Sequence, residues 1–471
     1  MLLNEGSQPE LMIGLSRVDD VVMGATITPL APMDQGNSRR IDWHLWSDSP
    51  AMAMIVSEIA RTIEKPHLKA REANLRVIVT NLVAVHLLDP LRYVAYSRRT
   101  NAYVKPKRYN EQGVGYDPMI AVTNSLLANK WCEQLSGDVS PNPKNRKTTR
   151  IRALSKMADL IKRSGITLEA ITRHIDEELI ILRDFKEANE KKGKDIDYDD
   201  LDFTRTARDR LRAYNALLQR HRIDPPSGSA VDPFYTCVRR IFVNKSFEEG
   251  GRFYGGWWQS LSEVERANIR IDSRPVVELD YRAVHLYLAY WEKGLFFKDD
   301  PYKLPSLPDE ARPVGKTALL ALLNGKKKAK VAQGRSAVVA ATRESIRDSI
   351  KVWEDRNKSG DNRYAEVKEL DSYLKGPRLP SIVDEMMRAH VAISDQFFSG
   401  NGNRYQRKDS DLVDYILGKF VERDKPILPV HDSFVVKQED ESFLRTAMEN
   451  ACKDVLDFDP CEIKHLLSWI K

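Results

Sequence analysis

The residues best suited to chemistry in this chain are two aspartates at the ends of apolar runs. Val276-Val277-Glu278-Leu279-Asp280-Tyr281 reads as a buried strand that delivers one carboxylate to its exit. Ile427-Leu428-Pro429-Val430-His431-Asp432-Ser433-Phe434-Val435-Val436 reads as a hairpin whose tight turn exposes Asp432 between two β-rich arms. Two carboxylates on strand ends suit two divalent cations, because Mg2+ takes oxygen ligands and is commonly held by one or two carboxylates together with substrate phosphates. Between the two lies a predicted helix from Arg312 to Asn324, with Pro313 in its first turn and Gly325 as its C-terminal cap. Arg312, Lys316, Leu320 and Asn324 recur every four residues and share one face. Two cations near a helix N-terminus, where the helix dipole also favours anions, suit a triphosphate.

Each element alone is common in proteins of every kind. Their order, a carboxylate strand, an Arg/Lys helix and a His-Asp hairpin, resembles the polymerase A superfamily of bacterial repair-type DNA polymerases and single-subunit phage RNA polymerases. The resemblance covers roughly the C-terminal half, from about Phe242 onward. The family's helix motif has Arg, Lys four residues on, an apolar or aromatic residue at eight, and Tyr-Gly at twelve and thirteen; here Asn324 replaces the tyrosine. Asp280-Tyr281-Arg282 stands where the DNA enzymes have Asp-Tyr-Ser, and His285 occupies the place of their glutamate. His431-Asp432-Ser433 is closer to the phage RNA polymerases.

The resemblance implies a right-hand polymerase palm built on an antiparallel sheet, with helical fingers and thumb, in an α+β chain. It implies that Asp280 and Asp432 bind two Mg2+ ions, for which Mn2+ could substitute. Arg312 and Lys316 would clamp the triphosphate, with Lys316 as a possible proton donor to the leaving group. Tyr281, His285, Leu320 and Asn324 would border the nucleotide. Gly250-Gly251-Arg252 and the later Arg266 and Arg270 occupy the place of residues that touch primer and template, and His431 would steady the primer terminus. Trp257 and Trp258 read equally as core, and Asp300-Pro301-Tyr302 as a turn with no assigned chemistry.

Composition agrees with a globular enzyme that meets polyanions. The 471 residues are 42% hydrophobic and 30% charged, enough for two or three domains, and the net charge of +6 is mildly basic. Cys132, Cys237, Cys452 and Cys461 lack metal-ligand spacing and read as buried thiols of a reducing compartment. The acidic N-terminus lacks the pattern of a signal peptide and no segment approaches a membrane span, so a cytoplasmic protein without a membrane partner is expected.

Residues 1–45 read as a flexible N-terminal segment, and residues 46–165 as a helical, winged-helix-like DNA-binding domain. In it, Asp117 and Pro118 would start a helix running from Met119 to Leu135, followed by a hairpin rich in cations. Lys144, Arg146, Lys147, Arg150 and Arg152 would meet phosphates from that wing, beside a patch formed by Arg98, Arg99, Lys105, Lys107 and Arg108; a basic surface loop is the alternative. Residues 166–225 read as long helices of a thumb-like region ending in the linker Asp224-Pro225-Pro226-Ser227-Gly228-Ser229, and residues 226–471 as palm and fingers.

The expected activity is template-directed nucleotide addition to DNA by a DNA-dependent DNA polymerase of mobile-element or phage replication. No exonuclease-like carboxylate set precedes it, so proofreading is not expected. A primase or RNA polymerase using ribonucleotides, a template-independent terminal transferase, and a DNA-binding replication initiator with an inactive palm remain as rivals. The bulk of His285 favours deoxynucleotides, while Asn324 could hydrogen-bond a sugar.

Overall fold

The computed structural model describes residues 38–63, 69–137, 147–187, 192–229, 231–295, 297, 299–308, 312–324, 331–357, 370–374, 378–457 and 467–469. The chain is mixed α+β. Its first part contains β1 (Ser38–Arg40), β2 (Leu45–Trp46), α1 (Pro50–Ala60), α2 (Lys69–Leu88), β3 (Tyr93–Ala95), α3 (Tyr116–Ala128), β4 (Cys132–Leu135), β5 (Arg150–Ala153), α4 (Ser155–Ser164) and β6 (Thr172–Arg173). Ser49 caps α1 by accepting a hydrogen bond from the Met52 amide, Pro50 fills the first turn, and Met52, Ile55, Val56 and Ile59 form its buried stripe. The sheet runs β1-β3-β5-β4, with β4 antiparallel to β5 from Cys132 opposite Ala153 to Leu135 opposite Arg150.

The helix expected to reach Leu135 is therefore shorter. It stops at Ala128, Lys130 turns the chain at φ +54°, and residues 132–135 pair as a strand. At its other end Gly115 is the N-cap, so Asp117 lies in the first turn and caps nothing. The tip of the β4–β5 hairpin, with Lys144 and Arg146, lies outside the described residues.

The second part contains β7 (Ile180–Arg183), β8 (Asp195–Ile196), α5 (Asp202–Gln219), β9 (Ile223–Asp224), β10 (Arg239–Val243), β11 (Ser246–Tyr254), α6 (Glu263–Arg266), β12 (Arg270–Ile271), β13 (Arg274–Tyr281) and α7 (Val284–Trp291). It continues with α8 (Arg312–Asn324), α9 (Val331–Asn357), α10 (Arg378–Ala389), α11 (Gly402–Glu422), β14 (Ile427–Val430), β15 (Ser433–Lys437), α12 (Glu441–Leu456) and β16 (Leu467–Trp469). The long helices expected over residues 167–222 reduce to α5. Ile180-Ile181-Leu182 is a short run of buried aliphatic residues that pairs in parallel with Arg240–Phe242, a better home for branched side chains than a helix.

Among the described residues two hydrophobic cores result. One gathers residues from Leu45 to Ile171, together with Phe234, and the other runs from Leu179 to Leu456. The cores part near residue 175 rather than at the proline-rich segment after Asp224, because β7 pairs with β10 and α5 packs on α11. Charge pairs span the junction: the buried Arg39 donates to Asp232 at 2.5 Å, and Arg108 bonds the buried Glu178 at 3.1 Å and the exposed Asp197 at 2.9 Å.

In the second core β13 is central. It pairs antiparallel with β15 along Val276–Asp280, with β12 at its start and with β16 at its end. β14 and β15 form a hairpin closed by His431-Asp432, with His431 at φ +59° as a two-residue turn requires at its first position. Trp258 Nε1 and Gln259 Nε2 both donate to the Pro429 carbonyl, at 3.0 and 3.1 Å, and Tyr214 donates to the Ile427 carbonyl, so three side chains pin β14. Trp257 and Trp258 are both core residues. Among the described residues no helix is long and apolar enough to cross a membrane.

Candidate active site

The register of the sheet brings the two aspartates together. Asp280 lies opposite Ser433, one residue past the turn, and the Tyr281 amide donates to the Asp432 carbonyl at 3.3 Å. Burial, and next the facing Asp432 carboxylate, push the Asp280 carboxyl up to about 8, while Lys316 works against them. Glu278, two residues back on the same face of β13, adds further repulsion. Its own charge is met by a bidentate pair with Arg266, at 2.7 and 2.8 Å, and by the Ser433 hydroxyl at 2.6 Å.

Two facing, half-buried carboxylates, with Asp280 raised first by burial and next by the charge of Asp432, fit a divalent cation, whose positive charge would favour the ionised Asp280. Among the described residues no group of three or more His, Cys, Asp or Glu side chains is assembled for a metal. Two carboxylates and water leave coordination positions for substrate phosphates, which suits magnesium better than a closed structural site.

Helix α8 meets this pair with its N-terminal turns. Lys316 is exposed. Arg312 donates to Asp300 at 2.6 and 3.2 Å, and Arg282 also reaches Asp300 at 2.8 Å, so two guanidinium groups share one carboxylate. Burial tends to raise Asp300, but Arg312 above all holds it below the usual carboxylate range. The Tyr302 ring lies under Arg312 at 4.8 Å and near Lys316 at 6.0 Å. Burial raises the Tyr302 phenol, as do the nearby charges of Asp432, Asp300 and Asp280. Gly315 permits this approach, since a Cβ there would fall 2.3 Å from the Tyr302 carbonyl oxygen. Leu320 is half-buried farther along, and Asn324 touches the start of α11, where a Cβ on Gly402 would lie 1.8 Å from its Oδ1. Gly325, expected as the cap of this helix, lies outside the described residues.

On the other flank stands Arg252. The pairing of β10 with β11 slips at Gly250-Gly251, both at φ +78°, a bulge that turns Arg252 toward α11. A side chain at Gly251 would also strike the Phe242 ring at 2.8 Å, so these glycines answer to packing inside the protein. Arg252 Nε lies 3.1 Å from Asp409 Oδ2, and His285 Nε2 lies 2.8 Å from the same oxygen. His431, exposed on the hairpin turn, packs its ring edge-on against Tyr254 at 5.9 Å.

No family model matches the chain, and no curated protein or solved structure matches it.

The remaining expected site residues are placed apart from the carboxylate pair or bound within the fold. Tyr281 points to the opposite face of β13, where its hydroxyl donates to the Met448 carbonyl at 2.7 Å. Arg266 is held by Glu278, and Arg270 is exposed on β12. In the N-terminal part Lys147 is half-buried and Arg150 buried, while Arg152 pairs with Glu133 and covers the Tyr93 ring at 4.7 Å. Three arginines of α5 have carboxylate partners as well: Arg208 is buried against Glu178 and Asp200, while the exposed Arg205 and Arg210 pair with Asp202 and Asp414.

Sequence reasoning missed Asp300, Tyr302, Glu278 and Asp409. Asp409 left a trace: it interrupts the apolar stripe Tyr405, Leu412, Val413 and Ile416 of α11, and a charge on a buried face needs a partner. Glu278 left one too, as an acid on the face of β13 that carries Asp280.

Proposed function

We propose that the chain is a DNA-directed nucleotidyl transferase, a DNA polymerase with a polymerase A-type palm and fingers, working with magnesium on nucleoside triphosphates. One observation carries the reading: Asp280 and Asp432, far apart in sequence, meet at the end of an antiparallel strand pair with Lys316 facing them, and Asp280 is raised first by burial and next by that meeting. Magnesium bound there would lower the pKa of an attacking 3′-hydroxyl and neutralise a leaving pyrophosphate.

The chain's own residues supply the rest. Lys316, exposed at the head of α8, meets the phosphates directly, and the surplus positive charge of Arg282 and Arg312 over Asp300 gives the same wall a net attraction for anions. Tyr302 closes the floor between them and the carboxylates. Arg266 holds Glu278 in place beneath the aspartates and keeps a third carboxylate from adding its full charge to the pair. Arg252 and His431 line the side where a primer end would lie. The first part of the chain would serve as a winged-helix-like DNA contact through α3 and the β4–β5 hairpin. There Lys144, Arg146 and Lys147 would meet phosphates, while Arg150 and Arg152 support the hairpin itself.

The test is extension of labelled primers with dNTPs and with rNTPs, each with and without template, using wild type, Asp280→Asn and Asp432→Asn. Template-dependent extension by wild type and none by either variant is the expected result. Extension by either variant at the wild-type rate defeats the assignment. Synthesis without template, or from ribonucleotides alone, makes the protein a terminal transferase or a primase.

A further inference from the structure

We propose that Asp409 is the positioning residue for the sugar side of the site: by holding His285 and Arg252 together it makes the choice between deoxy- and ribonucleotides depend on α11. The proposal rests on the polymerase reading above.

Asp409 is 1% exposed, on a helix face it shares with Tyr405, Leu412, Val413 and Ile416, and a carboxylate in such a place persists only when its charge is met. The neighbouring Ser410 hydroxyl donates to Oδ1 at 3.3 Å, and two further groups arrive from two other elements. Arg252 arrives from the bulged part of β11, with Nε 3.1 and 3.3 Å from the two oxygens and Nη2 closer still. His285 arrives from the first turn of α7, after Ala283 at φ +54° has turned the chain, with Nε2 2.8 Å from Oδ2. Burial alone would raise the Asp409 carboxyl, but the His285 and Arg252 contacts outweigh it and hold it below the usual range. Arg252 Nη2 also lies 3.2 Å from His285 Nε2, so the ring and the guanidinium crowd one oxygen.

His285 lies one short turn beyond Asp280 in the chain and Arg252 feels the charge of Asp432, so the cluster borders the catalytic pair. An asparagine at 409 keeps the shape but offers one acceptor oxygen and an NH2 that opposes the arginine donors. It would free the imidazole while leaving the apolar packing of α11 intact.

The experiment is a double-mutant cycle read in the ratio of kcat/KM for dNTP to that for rNTP, using wild type, Asp409→Asn, His285→Ala and the double variant. Asp409→Asn is expected to shift the ratio at least about fivefold, and to add nothing once His285 is alanine. A ratio unchanged in Asp409→Asn, or shifts that simply multiply in the double variant, overturns the proposal. If Asp409→Asn fails to fold, the cycle between Arg252→Ala and His285→Ala reads the same coupling from the partner side, and independent effects there overturn it. Wild type that extends nothing defeats the polymerase reading by itself. The cycle is then read in thermal shifts with magnesium-dATP and magnesium-ATP, where a wild-type preference that Asp409→Asn leaves unchanged overturns the positioning role.

Discussion

Removing the charge of Asp280 should stabilise the metal-free protein, and increasingly so as pH rises. The Asp280 carboxyl moves from an ordinary 3.8 to about 8 in the folded chain, first because it is buried and next because Asp432 faces it. A carboxyl raised on folding binds its proton more tightly in the folded state, so its contribution is fully present below pH 4 and is lost as pH rises through 8. Each pH unit inside that window costs about 1.4 kcal/mol for one proton, so going from pH 5.5 to 7.5 costs about 2 to 3 kcal/mol. For a core of this size that corresponds to a fall in Tm of about 4 °C. The assay is thermal unfolding in EDTA at constant ionic strength across that range, for wild type, Asp280→Asn and Asp432→Asn. The wild-type curve minus the Asp280→Asn curve cancels every titrating group that does not interact with Asp280. It should slope downward with pH, and the Asp432→Asn variant should keep only the part of the slope that burial causes. Millimolar magnesium should flatten the wild-type profile, since a cation binds the ionised pair. A wild-type-minus-Asp280→Asn difference that stays constant from pH 5.5 to 8 would refute the claim that the two carboxylates repel each other in a buried site.

Further outcomes follow from the same geometry. Lys316→Ala should raise the nucleotide KM and lower kcat without changing duplex affinity, and Arg312→Ala should do the same less severely because Arg282 still accompanies Asp300; a nucleotide titration unchanged in both would remove α8 from the site. Arg266→Ala leaves Glu278 buried without its partner and should cost about 3 to 5 kcal/mol of stability in urea unfolding. Restoring neutrality with Glu278→Gln should recover much of that loss, whereas no recovery would mean that Arg266 acts elsewhere. Replacing Lys144, Arg146 and Lys147 together with alanine should weaken DNA binding and reduce its log-log salt slope by about 0.9 for each phosphate the hairpin no longer neutralises; an unchanged slope would show that this loop never meets the DNA backbone.

The elements that carry the candidate site were legible in the sequence, because strand and helix signals are local. The apolar run ending at Asp280, the hairpin around Asp432 and the four-residue repeat from Arg312 each report a short-range periodicity, and each appears as the expected element. Short runs of mixed character were not legible in the same way. Ile180-Ile181-Leu182 could serve a helix or a buried strand, and only pairing with β10 decided it. The stop of α3 at Ala128 depended likewise on β5 lying ready to pair with Cys132–Leu135.

The fate of each charged side chain belongs to the tertiary structure. An arginine reads the same in a sequence whether it faces solvent or a carboxylate brought from a distant element. Arg252 and Arg266 therefore look alike as free cations until Asp409 and Glu278 are found beside them. The sequence by itself determined which elements could carry carboxylates and cations, since that follows from spacing along one segment. Only the folded chain decided which charges meet. It brought Asp432 to Asp280 by strand register and sent Tyr281 to the far face by strand alternation, and it closed α11 on β11 and α7 so that one buried aspartate holds an arginine and a histidine from two other elements.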